Sequence, residues 1–206
     1  MFLSPKIVIN AYYKGLFPMA DSINDPYIFW VNPVERGIIK ISDFRFSHSL
    51  RKLLKKDIHV IKINHDFEKV IFYCSQNIYR KSSWINNQII DNYIHLNQMG
   101  KVISVECYHE NKLIGGLYGL ILGKIFCGES MFSIENNASK LSLVYLAAYL
   151  KEGGFLYIDT QFFSQHLKQF GAKKMSRLDF LKILRENRDY KLEFPNSLNK
   201  NVLEYF

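Results

Sequence analysis

The sequence predicts an α+β fold in which helices cover one antiparallel sheet. Three strand-like segments follow one another between residues 102 and 130, with short turns between them. Segments with helical spacing of apolar residues lie before and after these strands. The stretch from Ala138 to Leu150 is apolar on nearly every side, which is typical of a buried helix. This order of elements predicts a single sheet with helices packed on it.

The chain is long enough for one sizeable domain with a small attachment. It has 206 residues, of which 48% are hydrophobic, so it can bury a substantial core. We predict a small N-terminal α/β domain over residues 1–44 and a larger domain over residues 45–206. The formal net charge is +8, and a basic surplus of this size favours a polyanionic partner.

Cysteine use and hydropathy indicate the compartment. Cys74, Cys107 and Cys127 lie far apart and form no Cys-x-x-Cys pair, so neither a zinc knuckle nor a redox dithiol is indicated. Reduced, buried thiols in a cytoplasmic protein are the expected state. The sequence shows no signal peptide and no apolar run of roughly 18 residues, so we expect no contact with a membrane.

The first helix and strand are predicted from caps and prolines. Ser4 and Pro5 are typical of an N-cap and a first helical position, and Gly15 is typical of the residue after a helix. This pattern predicts a helix over residues 5–14. A loop followed by a strand is expected between Phe29 and Ile41.

A basic helix is predicted from Ser47 to Lys56. Its leucines share one arc when residues are spaced at about 100°. Its basic side chains fall on the opposite arc, namely Arg51, Lys52, Lys55 and Lys56. Such an arc fits a surface that follows a phosphate backbone, and it also fits an ordinary solvated helix face.

The middle of the chain predicts further helices and the strands of the sheet. Asn64, Asn86 and Asn137 can each cap a helix. The strands are expected at Val102–Tyr108, Lys112–Leu122 and Lys124–Ser130, with turns at Glu110-Asn111 and Gly123. After the buried helix, Tyr157–Thr160 is strand-like and Ser164–Phe170 is helical. Ser176 opens a last helix with a capping-box pattern, and the tail after Pro195 is expected to be loose.

Two segments place a carboxylate in strand-like, apolar surroundings. Asp159 and Gln161 are two residues apart, so both side chains point to one face of a strand. Glu129 follows Gly128, and a glycine within a strand often marks the close approach of a ligand. An unpaired buried charge is unfavourable. Each carboxylate is therefore a candidate catalytic or binding group. The alternative for Asp159 is that it ends a strand by bonding to backbone N–H groups, and the alternative for Glu129 is an ion pair with a basic residue.

The two tryptophans of the chain, Trp30 and Trp84, are candidates for nucleotide contacts. Trp84 follows the basic pair Arg80-Lys81, and a tryptophan near basic residues can stack on a nucleobase. The alternative for each is an ordinary core tryptophan. His166 has no Cys or His at ligand spacing, so we interpret it as structural.

In their order and spacing, these residues resemble the leucyl/phenylalanyl-tRNA–protein transferase family. The resemblance runs along nearly the whole chain and is strongest in Phe126–Ser133 and Asn137–Lys140. The other matching segments are Ala11-Tyr12, Gly15–Met19, Trp30-x-x-Pro33-x-x-Arg36, Trp84-Ile85, Gly115-Gly116-x-Tyr118-Gly119, Asp159–Gln161, His166-Leu167 and Gly171-Ala172.

The resemblance implies a fold like the GCN5-related acetyltransferases (GNAT), with a mixed, largely antiparallel sheet covered by helices and a small domain before it. It implies transfer of Leu or Phe, and less well Met, from aminoacyl-tRNA to an N-terminal Arg or Lys of acceptor proteins. The product is a degradation signal of the N-degron pathway. The resemblance implies no metal and no coenzyme A, and we expect a cytoplasmic monomer.

The resemblance also implies roles for individual residues. Asp159 would hold the amide of Gln161, whose oxygen would receive an N–H of the attacking amine, and Glu129 would contact the amino group of the carried residue. Trp30 would lie against the terminal adenosine, Trp84 near the acceptor side, and the basic helix on the tRNA backbone. The apolar side-chain pocket would be formed by Leu117, Phe126, Leu146, Leu150 and Ile158.

Two other functions are weighed against this one. An acyl-coenzyme A N-acyltransferase of the same fold would need a Gln/Arg-x-x-Gly-x-Gly/Ala loop before a helix, and the buried helix begins from Asn136-Asn137 instead. A non-catalytic tRNA-binding protein would leave Asp159-Thr160-Gln161 without a purpose.

Overall fold

The computed structural model of the protein describes residues 3–76 and 83–206. The α-helices run Pro5–Tyr12 (α1), His48–Leu54 (α2), Phe67–Ser75 (α3), Asn87–Gln98 (α4), Ala138–Glu152 (α5), Gln165–Lys168 (α6) and Arg177–Asn187 (α7). The strands run Phe17–Met19 (β1), Phe29–Val31 (β2), Glu35–Lys40 (β3), Val60–Ile63 (β4), Val102–His109 (β5), Lys112–Leu122 (β6), Ile125–Ser133 (β7), Tyr157–Gln161 (β8) and Lys173–Ser176 (β9). Within the described residues, no helix is both long and apolar enough to cross a bilayer.

The main sheet has seven strands in the order β4-β5-β6-β7-β8-β3-β9. Its neighbours are antiparallel except β7 and β8, which are parallel and are joined by the crossover helix α5. The turns that join β5 to β6 and β6 to β7 lie where they were predicted. Their residues Glu110, Asn111 and Gly123 have positive φ angles of 49°, 63° and 57°, which are typical of tight turns. The predicted α+β class with a mixed sheet is confirmed.

Helices cover both faces of this sheet. On one face α5 packs over a core that includes Leu117, Phe126 and Leu146. On the other face α1, α3 and α4 enclose a second core that includes Tyr12 and Tyr93. Polar and apolar groups from distant parts of the chain therefore meet in the middle of the sheet.

The helix caps follow the predicted pattern with two differences. Ser4, Ser47, Asn86, Ser164 and Ser176 each accept a hydrogen bond from the first turn of their helix. The cap of α3 is Asp66 rather than Asn64, because the Asn64 side chain instead accepts from the backbone N–H of Ser104 in β5. Asn137 precedes α5 in a left-handed conformation and makes no side-chain cap.

The structure adds two short edge strands that the sequence did not indicate, β4 and β9. The prediction of a loose C-terminal tail is wrong, because Val202 and Tyr205 are buried and Phe206 packs on the ring of Phe44. The separate domain over residues 1–44 stays a prediction. Within that range, β3 hydrogen-bonds to β8 and β9 of the main sheet.

Candidate active site

A β-bulge and the end of a strand pair form the centre of the site. On β7, the pairs Gly119–Gly128 and Tyr118–Ser130 leave Glu129 without a direct partner on β6. Bulges of this kind redirect a side chain and are common beside active sites. The parallel pairing of β7 with β8 extends to Cys127 and Asp159. Just beyond that pair, both strands line a cavity.

The cavity has a volume of about 470 Å³ and is mostly apolar. Four residues predicted for a side-chain pocket do line it, namely Leu117, Phe126, Leu146 and Ile158. Leu150 lies outside this lining and is fully buried in the core on the α5 side of the sheet. The spacing of Leu146 and Leu150 placed both on one helical face, but the cavity reaches only the first of them.

Sequence reasoning missed several residues of the wall. They come from separate elements and are Met19, Met131, Leu143, Phe162 and Leu167. His166, interpreted above as structural, also lines the cavity and a neighbouring one at the start of α5. Burial, together with the nearby Lys140, lowers the pKa of His166. The segment His166-Leu167 was the available sequence signal for this part of the wall.

The two tryptophans take different positions. Trp84 lines the cavity, whereas Trp30 is half-buried in β2 opposite Pro18 and lies outside the lining. The basic pair Arg80-Lys81 that drew attention to Trp84 falls outside the described residues.

Glu129 is the one carboxylate among the described residues that line the cavity, and it is only 8% exposed. The Tyr12 hydroxyl donates to its Oε1, and the Tyr93 hydroxyl lies 2.9 Å from that of Tyr12. The side-chain Nε2 of Gln161 donates to Glu129 Oε2 at 3.2 Å. A carboxylate, two phenols and an amide thus form one buried network.

Burial raises the pKa of Glu129 to about 7, although hydrogen bonds from Tyr12, Gln161 and Tyr93 oppose the shift. Burial and the neighbouring Glu129 raise the pKa of Tyr12 and Tyr93 well above the usual range, so both phenols stay protonated. Glu129 can therefore exchange a proton near neutral pH, while the tyrosines act as hydrogen-bond donors.

Asp159 is paired rather than free. Arg36 donates to both of its oxygens, from Nε to Oδ1 at 2.9 Å and from Nη2 to Oδ2 at 2.7 Å. The guanidinium lies between the rings of Phe17 and Phe180, and its Nη1 donates to the carbonyl of Gly15. Burial would lower the pKa of Arg36, but Asp159 outweighs it and the pKa is raised. This bidentate ion pair is buried on both sides.

The contact between Asp159 and Gln161 differs from the expected one. Asp159 Oδ1 accepts from the backbone N–H of Gln161 at 2.8 Å, whereas the Gln161 side chain bonds to Glu129 and Tyr12. The reason is the left-handed backbone of Gln161, with φ of 60°, which ends β8 and redirects its side chain. Neither side-chain bond uses Oε1 of Gln161.

The predicted basic helix is α2, which ends at Leu54, so Lys55 and Lys56 lie in the turn directly after it. Three of the four basic side chains predicted for this surface are exposed. They are Lys52, Lys55 and Lys56. Arg51 is half-buried, because it stacks on Phe46 and donates to the backbone carbonyl of Phe206 at 3.2 Å. The three lysines form a basic surface on a helix that packs against α5.

Fold and site together define an α+β protein with a mostly apolar cavity whose described lining includes one carboxylate, that of Glu129. Two family models match the chain. The model described as "Leucyl/phenylalanyl-tRNA protein transferase" matches residues 38–185, and the one for the N-terminal domain of that transferase matches residues 1–34.

Curated relatives agree with the family models. A leucyl/phenylalanyl-tRNA–protein transferase of Maricaulis maris is 45% identical and covers 91% of this chain and 87% of its own. That of a Ruegeria species is 42% identical and covers 94% of this chain and 91% of its own. The chain belongs to the leucyl/phenylalanyl-tRNA–protein transferase family, which is a family of enzymes.

Among solved structures, similarity is weaker. L-PGS from Bacillus licheniformis aligns at 10% identity with a TM-score of 0.48. The alignment covers 75% of this chain and 65% of that structure, which is less than two thirds of its length.

Proposed function

We propose that this protein transfers Leu or Phe, and less well Met, from aminoacyl-tRNA to the α-amino group of an N-terminal Arg or Lys. The product would be an N-degron on the acceptor protein. One observation carries the proposal, namely a mostly apolar cavity with the buried carboxylate of Glu129 in its wall. The aminoacyl group of Leu or Phe matches such a cavity, because it carries a polar amino group next to an apolar side chain.

The cavity would hold the carried amino acid. Its volume of about 470 Å³ lies within the range of small-molecule sites. Leu117, Phe126 and Leu146 would contact the side chain, while Glu129 would bind the amino group. Since one methylene contributes only about 1–3 kcal/mol of discrimination, Leu, Phe and Met are all compatible with a wall of this kind.

The reaction would be aminolysis of an ester that is already activated, so positioning supplies most of the acceleration. Holding an amine and an ester in attack geometry can contribute roughly 7–11 kcal/mol. The acceptor α-amine has an ordinary pKa of about 7.7–8.0, so a useful fraction is neutral near pH 7. A strong base is therefore unnecessary.

Gln161 would align the attacking amine through Oε1, the atom that its side-chain bonds to Glu129 and Tyr12 leave unused. An amide oxygen is too weak a base to keep the proton. Asp159 is held by Arg36 through both oxygens, so we assign it a positioning function. The proton would then leave through water or the tRNA ribose.

The tRNA would be held outside the cavity. Trp84 at the cavity wall and Trp30 in the β1–β2 ribbon would contact the acceptor side and the terminal adenosine. The exposed lysines of α2 would contact the tRNA backbone, in line with the net charge of +8.

Fold, oligomeric state and compartment complete the proposal. The mixed sheet with its β7-α5-β8 crossover supports a GNAT-like fold, with residues 1–44 as a small domain before it. The proposal takes the protein to act as a monomer. The three cysteines, Cys74, Cys107 and Cys127, are buried, which supports the cytoplasm as the compartment.

The proposal is tested by incubating the protein with radiolabelled Leu-tRNA and four peptides that differ only in their first residue. Peptides beginning with Arg or Lys should be labelled, and those beginning with Asp or Glu should not. An Arg peptide with an acetylated N-terminus is the matched control and should stay unlabelled. Absence of label on all peptides, or transfer of acetyl from acetyl-coenzyme A in its place, would refute the proposal.

A further inference from the structure

Ser130 follows Glu129 directly in the bulge of β7 and lines the same cavity. The residue is 8% exposed, and its Oγ is buried without a hydrogen-bond partner among the described residues. Buried polar groups nearly always have a partner, so an exception at a cavity wall points to a ligand. Ser130 has no function in the site described so far.

The other serine and threonine hydroxyls at the cavity differ from that of Ser130. Thr160 Oγ1 donates to the carbonyl of Phe162 at 3.2 Å, and Ser164 Oγ accepts from the backbone N–H of Leu167. The side-chain nitrogen of Gln161 is likewise engaged with Glu129 and Tyr12. Of these three hydroxyls, Thr160 already donates and Ser164 is held as the N-cap of α6, whereas the buried Ser130 hydroxyl has no hydrogen-bond partner among the described residues.

We propose that Ser130 donates a hydrogen bond to the carbonyl oxygen of the aminoacyl ester, and that this bond strengthens as the oxygen becomes negative. The inference rests on the proposed function and deepens it. In an aminoacyl group the amino nitrogen and the carbonyl oxygen are three bonds apart. Glu129 and Ser130 are adjacent residues of one bulge, so they can bind the amino group and the carbonyl oxygen, respectively.

Atoms and electrons balance between the ester and the acceptor amine. The amine nitrogen bonds to the carbonyl carbon, and the electron pair of the C=O bond moves to oxygen, where Ser130 donates. The pair then returns, the bond to the ribose oxygen breaks, and that oxygen takes up a proton. The nitrogen loses one proton, so the products are an amide and a ribose hydroxyl.

The test compares Ser130→Ala and Ser130→Thr with the wild type in single-turnover transfer from Leu-tRNA. Loss of one donor to a developing oxyanion typically lowers kcat by about 10²–10³-fold. We expect a loss of that order for Ser130→Ala, with tRNA binding unchanged, and a rate close to wild type for Ser130→Thr, which keeps the hydroxyl. Ser142→Ala is the matched control, because Ser142 is fully buried outside the cavity and donates to Ala138.

The outcomes separate this inference from the proposed function. An active wild type with an equally fast Ser130→Ala variant overturns the assignment of Ser130 alone. Equal losses in the Ala and Thr variants would indicate a packing effect and also overturn it. A raised KM at unchanged kcat would mean uniform binding of substrate and transition state, which contradicts the strengthening bond. If the wild type transfers nothing, the proposed function fails and the inference fails with it.

Discussion

At the residue scale, the two buried carboxylates of the site have different surroundings and therefore different chemistry. Glu129 accepts bonds from neutral donors, and burial leaves its pKa near 7. Asp159 is fully buried against the permanent charge of Arg36. Glu129 is thus the carboxylate that can gain or lose a proton near neutral pH, while Asp159 holds the backbone of Gln161.

Removing the Tyr12 hydroxyl should make Glu129 harder to ionise. The bond from Tyr12 stabilises the carboxylate, so Tyr12→Phe should raise the pKa of Glu129 further above about 7. A bond to a charged group contributes about 1.5–3 kcal/mol, so the acid limb of kcat/KM should move to higher pH by about one to two units. The pH profile of peptide labelling measures this shift.

Tyr149→Phe is the control for this profile, because Tyr149 is a half-buried tyrosine that stacks on Phe194, outside the network. The acid limb of the kcat/KM profile of Tyr149→Phe should match that of the wild type. A Tyr12→Phe limb that stays in place, or moves to lower pH, would contradict the assignment of Glu129.

The pair Arg36–Asp159 should couple strongly in stability. Removing one partner of a buried ion pair leaves an uncompensated charge and typically destabilises by about 3–5 kcal/mol. Arg36→Met and Asp159→Asn should each lower the free energy of unfolding by about this amount in urea titrations. The double variant should lose less than the sum, because neither charge is left alone.

The exposed pair Lys174–Glu35 provides the matched control, with an N–O distance of 2.7 Å and both side chains more than half exposed. Lys174→Met should change stability by only about 0–1 kcal/mol. Purely additive losses at Arg36 and Asp159 would show that the two side chains do not act as a pair.

At the scale of elements, the site depends on where strands stop pairing. The bulge directs Glu129 and Ser130 to the cavity, and the end of the β7–β8 ladder at Cys127 and Asp159 leaves space beside it. The helix α5 closes the apolar side through Leu143 and Leu146. On the outside, α2 packs on α5 and carries the exposed lysines.

The lysines of α2 should bind tRNA without sequence preference. Replacing Lys55 and Lys56 by Ala should weaken binding of all tRNAs alike and reduce the slope of log K against log salt by about one for each phosphate that is no longer neutralised. Filter binding of two different tRNAs over a salt series measures both effects. Lys112→Ala, an exposed lysine of β6, is the control. A salt slope equal to that of the wild type would exclude α2 from the interface.

At the scale of the whole molecule, local signals predicted the elements and long-range contacts decided the site. Caps, glycine turns and periodicity located the meander and α5, because these depend on neighbouring residues. The edge strands β4 and β9 have four residues each and depend on pairing with β5 and β3 for their conformation.

In the site, too, the sequence indicated single residues but not the long-range contacts between them. Glu129, Asp159 and Gln161 were noticed because polar residues in apolar strands are unusual. Their partners Tyr12 and Arg36 lie more than 100 residues away in sequence, and spacing alone gave no reason to pair them. Gln161 has a left-handed backbone, with φ of 60°, whereas the strand pattern predicts an extended one, so the direction of its side chain was not predictable.

The central claim is that one cavity holds the aminoacyl group while Gln161 aligns the attacking amine. It is tested most directly by single-turnover transfer from Leu-tRNA to an Arg peptide, with tRNA affinity measured in parallel, for the wild type and Gln161→Ala. The account predicts transfer by the wild type and a rate about 10²-fold lower in the variant at unchanged tRNA affinity, since small misplacements can have an effect of that size. Transfer by Gln161→Ala at the wild-type rate would contradict it.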